Sequence, residues 1–119
     1  MNIHKVKKLL IDRKVVPLAN SVSIVTWCNE LYPKLENQLK ELGFVYGCIN
    51  NHGISVSEDF ILLGNANQWH IGYNKNGELR FVDAKIYKIR KRFIFRNIYQ
   101  IFKRYLKCNR VFRFFDTFF

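Results

Sequence analysis

Hydrophobic residues recur along this chain at two spacings, and the switches between them mark its elements. Ile3, Val6, Leu10 and Lys14 stand three and four positions apart, with Lys7, Lys8 and Arg13 to the sides. That period predicts a short amphipathic helix, which Pro17 closes off. A second series, Val22, Val25, Cys28, Tyr32, Leu35, Leu39 and Leu42, keeps helical period and stops at Gly43, a suitable C-terminal cap. Pro33 interrupts it by removing an amide donor, so this helix either kinks or begins near Tyr32. The alternatives differ at Cys28. An unbroken helix puts it on the apolar stripe, where a thiol is an inert core residue, and a late start leaves it just upstream.

Past Gly43 the period shortens. The run FVYGCI at 44–49 is rich in β-formers, and Asn50, Asn51, His52 and Gly53 after it read as a turn. Phe60 to Leu63 suits a strand or a short helical turn. The clearest local signal is at 68–84, where WHIGY and ELRFVDA flank Asn74, Lys75, Asn76 and Gly77. Asn and Gly accept the positive φ of tight turns, so this stretch is predicted to be a β-hairpin. From Arg90 helical period returns, with Ile94, Ile98, Ile101 and Tyr105 in one row and Phe95, Tyr99, Phe102 and Leu106 in the next. The expected fold is α+β: N-terminal helices, a small mainly antiparallel sheet centred on the 68–84 hairpin, and a basic C-terminal helix, in a single domain over 1–119.

Charge changes the picture, because it is segregated. Residues 1–16 carry a net +4, residues 17–84 a net −3 and residues 85–119 a net +10, within a total of +11. The last 27 positions also hold 10 of the 19 aromatic residues. Cations attract phosphate and rings offer stacking faces, so nucleic acid is the leading expected partner. The residues expected to carry that contact are Arg90, Lys91, Arg92, Arg96, Lys103, Arg104, Lys107 and Arg110. A basic helix with a bulky apolar face also suits an anionic membrane surface. The leading expectation is a small, non-enzymatic accessory protein engaging an anionic partner. A composition rich in Lys, Asn, Ile and Phe fits an AT-rich genome, as of a virus, phage or mobile element.

Hydrophobic residues make up 49% of the chain, which excludes intrinsic disorder and predicts a packed core. The uncharged stretch at residues 15–28 is broken by Pro17 and polar residues and is too short to span a bilayer. Asp12 and Pro17 break any signal-peptide pattern at the N-terminus. Three cysteines, Cys28, Cys48 and Cys108, form no close pair, which argues for a reducing, cytoplasmic setting and against zinc. No metal ligand set, Walker loop, dinucleotide fingerprint or HExxH is found, and no cofactor is implied. His4 and His52 read as surface and turn residues.

Cys28, His70 and Asp83 are the one set with catalytic character. A cysteine nucleophile needs a base to take its proton, and that imidazole needs a third group to fix its tautomer. Cys28 lies near the start of a helix, and His70 and Asp83 lie on the two arms of one hairpin. If Asn76 and Gly77 centre the turn, His70 and Asp83 pair directly across it and share a face. With WCNEL at 27–31, LGFVYGCI at 42–49 and HIGYNKNGELRFVDA at 70–84, the chain resembles papain-like and transglutaminase-like cysteine hydrolases. The resemblance covers about half the chain and implies Cys28 as nucleophile, His70 as base and Asp83 as orienting group. The chain departs from that pattern at Pro33 and in lacking small residues around the cysteine.

Overall fold

The computed structural model describes residues 2–49 and 52–89. The first helix, α1 (Ile3–Leu10), opens with the Asn2 side chain accepting from the Lys5 amide at 2.9 Å. It buries Val6 and Leu10 and ends before Lys14, which is exposed. After a 3₁₀ turn at Ala19–Ser21, the hydroxyl of Ser23 accepts from the Thr26 amide at 3.0 Å and starts a continuous helix over 24–41. This comprises α2 (Ile24–Thr26), a π-helical turn (Trp27–Leu31) and α3 (Tyr32–Glu41). The sequence offered a kink or a late start at Pro33, and the helix does not start late: it begins at Ile24 and runs on through the proline. Pro33 has no N–H, and its ring presses on the carbonyl four residues back, so the turn before it widens and the Tyr32 amide donates to Trp27 instead.

The wide turn decides which residues face inward. Trp27, Leu31, Leu35 and Leu39, each four apart, form the buried row. In a regular α-helix three such steps drift by about 120°, and the π turn absorbs much of that drift. The expected stripe through Val25 and Cys28 is therefore corrected: Val25 is 67% exposed and Cys28 is exposed as well. The helix ends as the sequence predicts. Gly43 takes φ +84°, its amide donates to Lys40, and the Phe44 amide donates to Leu39, while Phe44 and Leu39 are both buried.

Six strands follow: β1 (Val45–Ile49), β2 (His52–Val56), β3 (Phe60–Leu63), β4 (Ile71–Tyr73), β5 (Leu79–Phe81) and β6 (Lys85–Lys88). They form a four-stranded antiparallel sheet in the order β1-β2-β3-β6 and a separate two-stranded ribbon, β4-β5. The α+β class and antiparallel pairing match the sequence expectation. The sheet is not centred on the 68–84 hairpin, however, because β6 returns to pair with β3 and leaves the hairpin as a ribbon of its own. His52 and Gly53 open β2, opposite Ile49 and Cys48, instead of forming a turn. Phe60–Leu63 resolves as a strand.

The chain between α1 and the 3₁₀ turn lies along both edges of the ribbon. Ile11 bridges Phe81 on one side and Pro17 bridges Gly72 on the other. Covering both edges satisfies backbone groups that an isolated two-stranded ribbon would leave to solvent. Val6, Leu10, Leu35, Leu39, Phe44, Leu62, Ile71, Phe81 and Ala84 belong to one core cluster that joins helices, sheet and ribbon. Among the described residues no helix is long and apolar enough to cross a membrane. The C-terminal helix expected from Arg90 onward lies outside the described residues.

Candidate active site around His70 and Asp83

His70 sits at the end of the 67–70 turn, its amide donating to the Asn67 carbonyl at 3.0 Å, just before β4. Asp83 sits in the bend after β5. Their side chains meet, with His70 Nδ1 2.7 Å from Asp83 Oδ2. The route differs from the expected one. The ladder pairs Ile71 with Phe81 and Tyr73 with Leu79, which centres the loop on Asn76 and brings Val82 opposite His70. The Val82 amide donates to the His70 carbonyl at 2.9 Å, and the bend at 82–83 then carries the carboxylate back to the ring. The imidazole and carboxylate side chains are 33% and 53% exposed, so the pair is open to solvent on one side.

The pair borders a cleft of about 310 Å³, lined also by His52, Gly53, Gly64 and Asn65. Two glycines let its walls close up. A Cβ at Gly53 would come within 2.2 Å of the Gly64 carbonyl oxygen, and one at Gly64 within 2.6 Å of Ala84 Cβ. The Gly53 amide donates to Asn65 Oδ1. The Asn65 oxygen is thereby held toward β2, and its NH₂ is turned to the remaining side. Sequence reading missed Asn65, and the only hint was its place in a Gly-Asn-Ala-Asn run after a strand.

Cys28 is exposed within the π turn, a kind of helical irregularity that recurs at functional positions. It does not line the cleft. The chain leading into this helix is tied to the His70 turn, and the helix itself to the residues just before that turn. Gln68, 2% exposed, donates from Nε2 to the carbonyls of Ala19 and Val22, while the Ala19 amide donates to the Gln68 carbonyl. Ala19 is held at φ +45° by this clasp. Farther along, the Tyr32 ring packs on Tyr46 at 6.4 Å, and the Tyr46 hydroxyl accepts from the Ala66 amide at 2.9 Å. Burial, followed by the nearby Glu36 carboxylate, pushes the Tyr32 hydroxyl far above the usual phenol range.

Gln68 gives a direct test of the first tie. Gln68→Leu keeps the volume but leaves two carbonyls without their buried donor, at a cost of about 1–3 kcal/mol each way of counting. Urea unfolding should show the loss, and hydrogen exchange should quicken at the Ala19 amide. An unchanged midpoint would mean that water replaces the clasp.

Among the described residues no group of three His, Cys, Asp or Glu side chains is placed to hold a metal ion. Arg90, Lys91, Arg92, Arg96, Lys103, Arg104, Lys107 and Arg110 lie outside the described residues, as does Cys108. No protein-family model, curated protein or solved structure matches the chain.

Proposed function

We propose that this protein is a thiol-dependent acyl-transfer or hydrolytic enzyme acting on an ester or amide, with Cys28 as nucleophile, His70 as base and Asp83 as orienting group. The observation that carries the proposal is the 2.7 Å contact of His70 Nδ1 with Asp83 on the rim of an open cleft. With Nδ1–H donated to the carboxylate, Nε2 keeps its lone pair toward a thiol proton. The Cys28 sulfur then bonds to the substrate carbonyl carbon, and the imidazolium returns the proton to the leaving group. Water or an amine releases the acyl group from sulfur by the reverse sequence. The clasp at Gln68 ties the chain just before this helix to the His70 turn, and the reading requires the Cys28 sulfur to reach Nε2 when substrate is bound.

Iodoacetamide labelling followed by peptide mass mapping tests this. Cys28 should react faster than a model thiol near neutral pH, and His70→Ala should remove the advantage. Equal rates in both proteins would remove the ground for the proposal.

A second function, binding of an anionic partner and foremost nucleic acid, is favoured by one structural observation. Lys5, Lys7 and Lys8 on α1 and Lys85 and Lys88 on β6 are all exposed, and none forms an ion pair among the described residues. Together with the C-terminal cations they leave a large uncompensated charge. Affinity for an oligonucleotide should fall steeply with salt, since each neutralised phosphate releases counterions. Changing Arg92, Arg96, Lys103 and Lys107 to Glu should nearly abolish it. Unchanged binding would refute this function, and preference for anionic vesicles over the oligonucleotide would redirect it to a membrane surface.

A further inference from the structure

The ribbon strand β5 is buried along its whole length. Side chains alternate along a strand, so Leu79 and Phe81 turn together into the core and Arg80 between them turns the other way. Arg80 is nonetheless only 6% exposed. A buried guanidinium is costly unless its charge and its donors are matched. Here they are matched in part. Nη1 donates to the Leu79 carbonyl at 2.8 Å, and Nη2 stands 3.4 Å from Glu78 Oε1, on a side chain that is 52% exposed. The ion pair is long and water shares its acid, so it neutralises the guanidinium poorly. A guanidinium also carries more N–H donors than these contacts use, and Arg80 has no other partner among the described residues.

Arg80 lines a cleft of about 400 Å³ between the ribbon and the helices. Gln38 shows how the guanidinium sits there. Its Nε2 donates to the Leu9 carbonyl at 2.8 Å and reaches the Leu79 carbonyl, the oxygen that Arg80 also holds, at 3.4 Å. Side chains from helix and strand thus converge on one oxygen inside the cleft. Lys34, Gln38 and Glu41 follow at four- and three-residue spacing on one face of α3, and all line it. Leu9, Leu42 and Tyr73 add apolar wall. The charged lining balances, with Lys34 and Arg80 against Glu41 and Glu78. The cleft shares no lining residue with the one at His70.

We infer that this second cleft binds a small zwitterion with an apolar body, namely a free amino acid with an aliphatic side chain. Its carboxylate takes the unused donors of Arg80, whose planar fork matches two carboxylate oxygens at once. Its ammonium group lies toward the Glu41 and Glu78 carboxylates, and its side chain rests against Leu9 and Leu42. Balanced lining charge argues against phosphate, because a second negative charge would meet those same two acids. The cleft volume suits a small molecule of this kind. The site stands apart from Cys28, His70 and Asp83, so it holds whether or not those residues are catalytic.

The test is a nuclear magnetic resonance titration of the isotope-labelled full chain with L-leucine, L-leucinamide, isocaproate and inorganic phosphate. Leucine should shift the Gln38, Leu79 and Arg80 amide resonances and the Arg80 Nε–H. Leucinamide, which lacks the carboxylate, should bind roughly 10- to 100-fold more weakly, the usual value of a charged hydrogen-bonded contact. Isocaproate, which lacks the ammonium group, should fall between them. Arg80→Lys keeps the charge without the fork and should weaken leucine at least about tenfold. The four-probe comparison is made in the unaltered chain, so it stands even where that variant does not fold. Equal binding of leucine and leucinamide would overturn the inference, as would phosphate binding more tightly than leucine. Absence of shifts with every probe at millimolar concentration would overturn it as well and leave Arg80 as a brace for the Leu79 carbonyl.

Discussion

Gly72→Ala is expected to cost about 3 kcal/mol or more of folding stability, enough to unfold a domain of ordinary marginal stability at moderate temperature. Gly72 lies inside the ribbon with a neighbour on each side, pairing with Arg80 in β5 and bridging Pro17 in the chain alongside. A Cβ there would stand 2.2 Å from the Val16 carbonyl oxygen and 2.4 Å from Val15 Cγ1. The first of these is backbone and cannot swing away, so the 15–18 segment must lift. Lifting it strains the bond from the Leu18 amide to the Ile71 carbonyl and draws on the neighbouring clasp at Ala19 and Gln68. Gly77→Ala is the control. Gly77 has φ +73° with nothing near its Cβ position, so only backbone strain of about 1 kcal/mol is at stake. Thermal unfolding of the two variants separates the cases, and a Gly72→Ala midpoint no lower than that of Gly77→Ala would show that the ribbon edge is not held closely.

Gly72 also shows where local pattern stops being informative. The strand WHIGY is legible from its β-formers, and the Asn/Gly-rich loop predicts the hairpin, but nothing in those residues says that a segment 55 positions earlier lies against the ribbon at Pro17. The same limit explains the sheet. β6 is four residues with two exposed lysines and a tyrosine, KIYK, and its strand character comes from pairing with β3 rather than from its composition. His52 and Gly53 look like turn residues because of Asn50 and Asn51 before them, yet the Gly53 position is needed in a strand, where only a hydrogen clears Gly64.

Helix ends were easier, because their signals are local. Ser23 and Gly43 each fix a terminus through their own backbone neighbours. The helix interior was harder. Its apolar spacing fits both an α-helical stripe through Cys28 and a row through Trp27 and Leu31, and the choice rests on what Pro33 does to the preceding turn. That single irregularity converts Cys28 from a core position into an exposed one. The chemistry of the site was legible in part for a similar reason: His70 and Asp83 meet, although a hairpin register one residue from the expected value required the bend at 82–83 to bring them together.

Asp83→Asn should reduce acyl transfer to Cys28 by roughly 10²- to 10⁴-fold while leaving the fold intact. The carboxylate is 53% exposed and its described side-chain contact is with the ring, so the amide can replace it without crowding the core. What changes is the hydrogen bond. In the tautomer the proposal requires, Asp83 accepts from Nδ1–H and Nε2 is bare, whereas an asparagine can turn its NH₂ toward Nδ1 and favour the opposite tautomer, in which Nε2 already carries a proton and cannot take the one on the thiol. p-Nitrophenyl acetate provides the probe, with nitrophenolate release as the rate and the mass of an acetylated Cys28 peptide as the assignment. His70→Ala should lose a similar factor, and the double variant little more than either alone, because the two side chains act as a unit. Cys28→Ser should abolish the adduct. Full rates in Asp83→Asn and His70→Ala alike would leave the close contact between these residues as a structural clasp at the mouth of the ribbon, and would leave Cys28 as an ordinary exposed thiol.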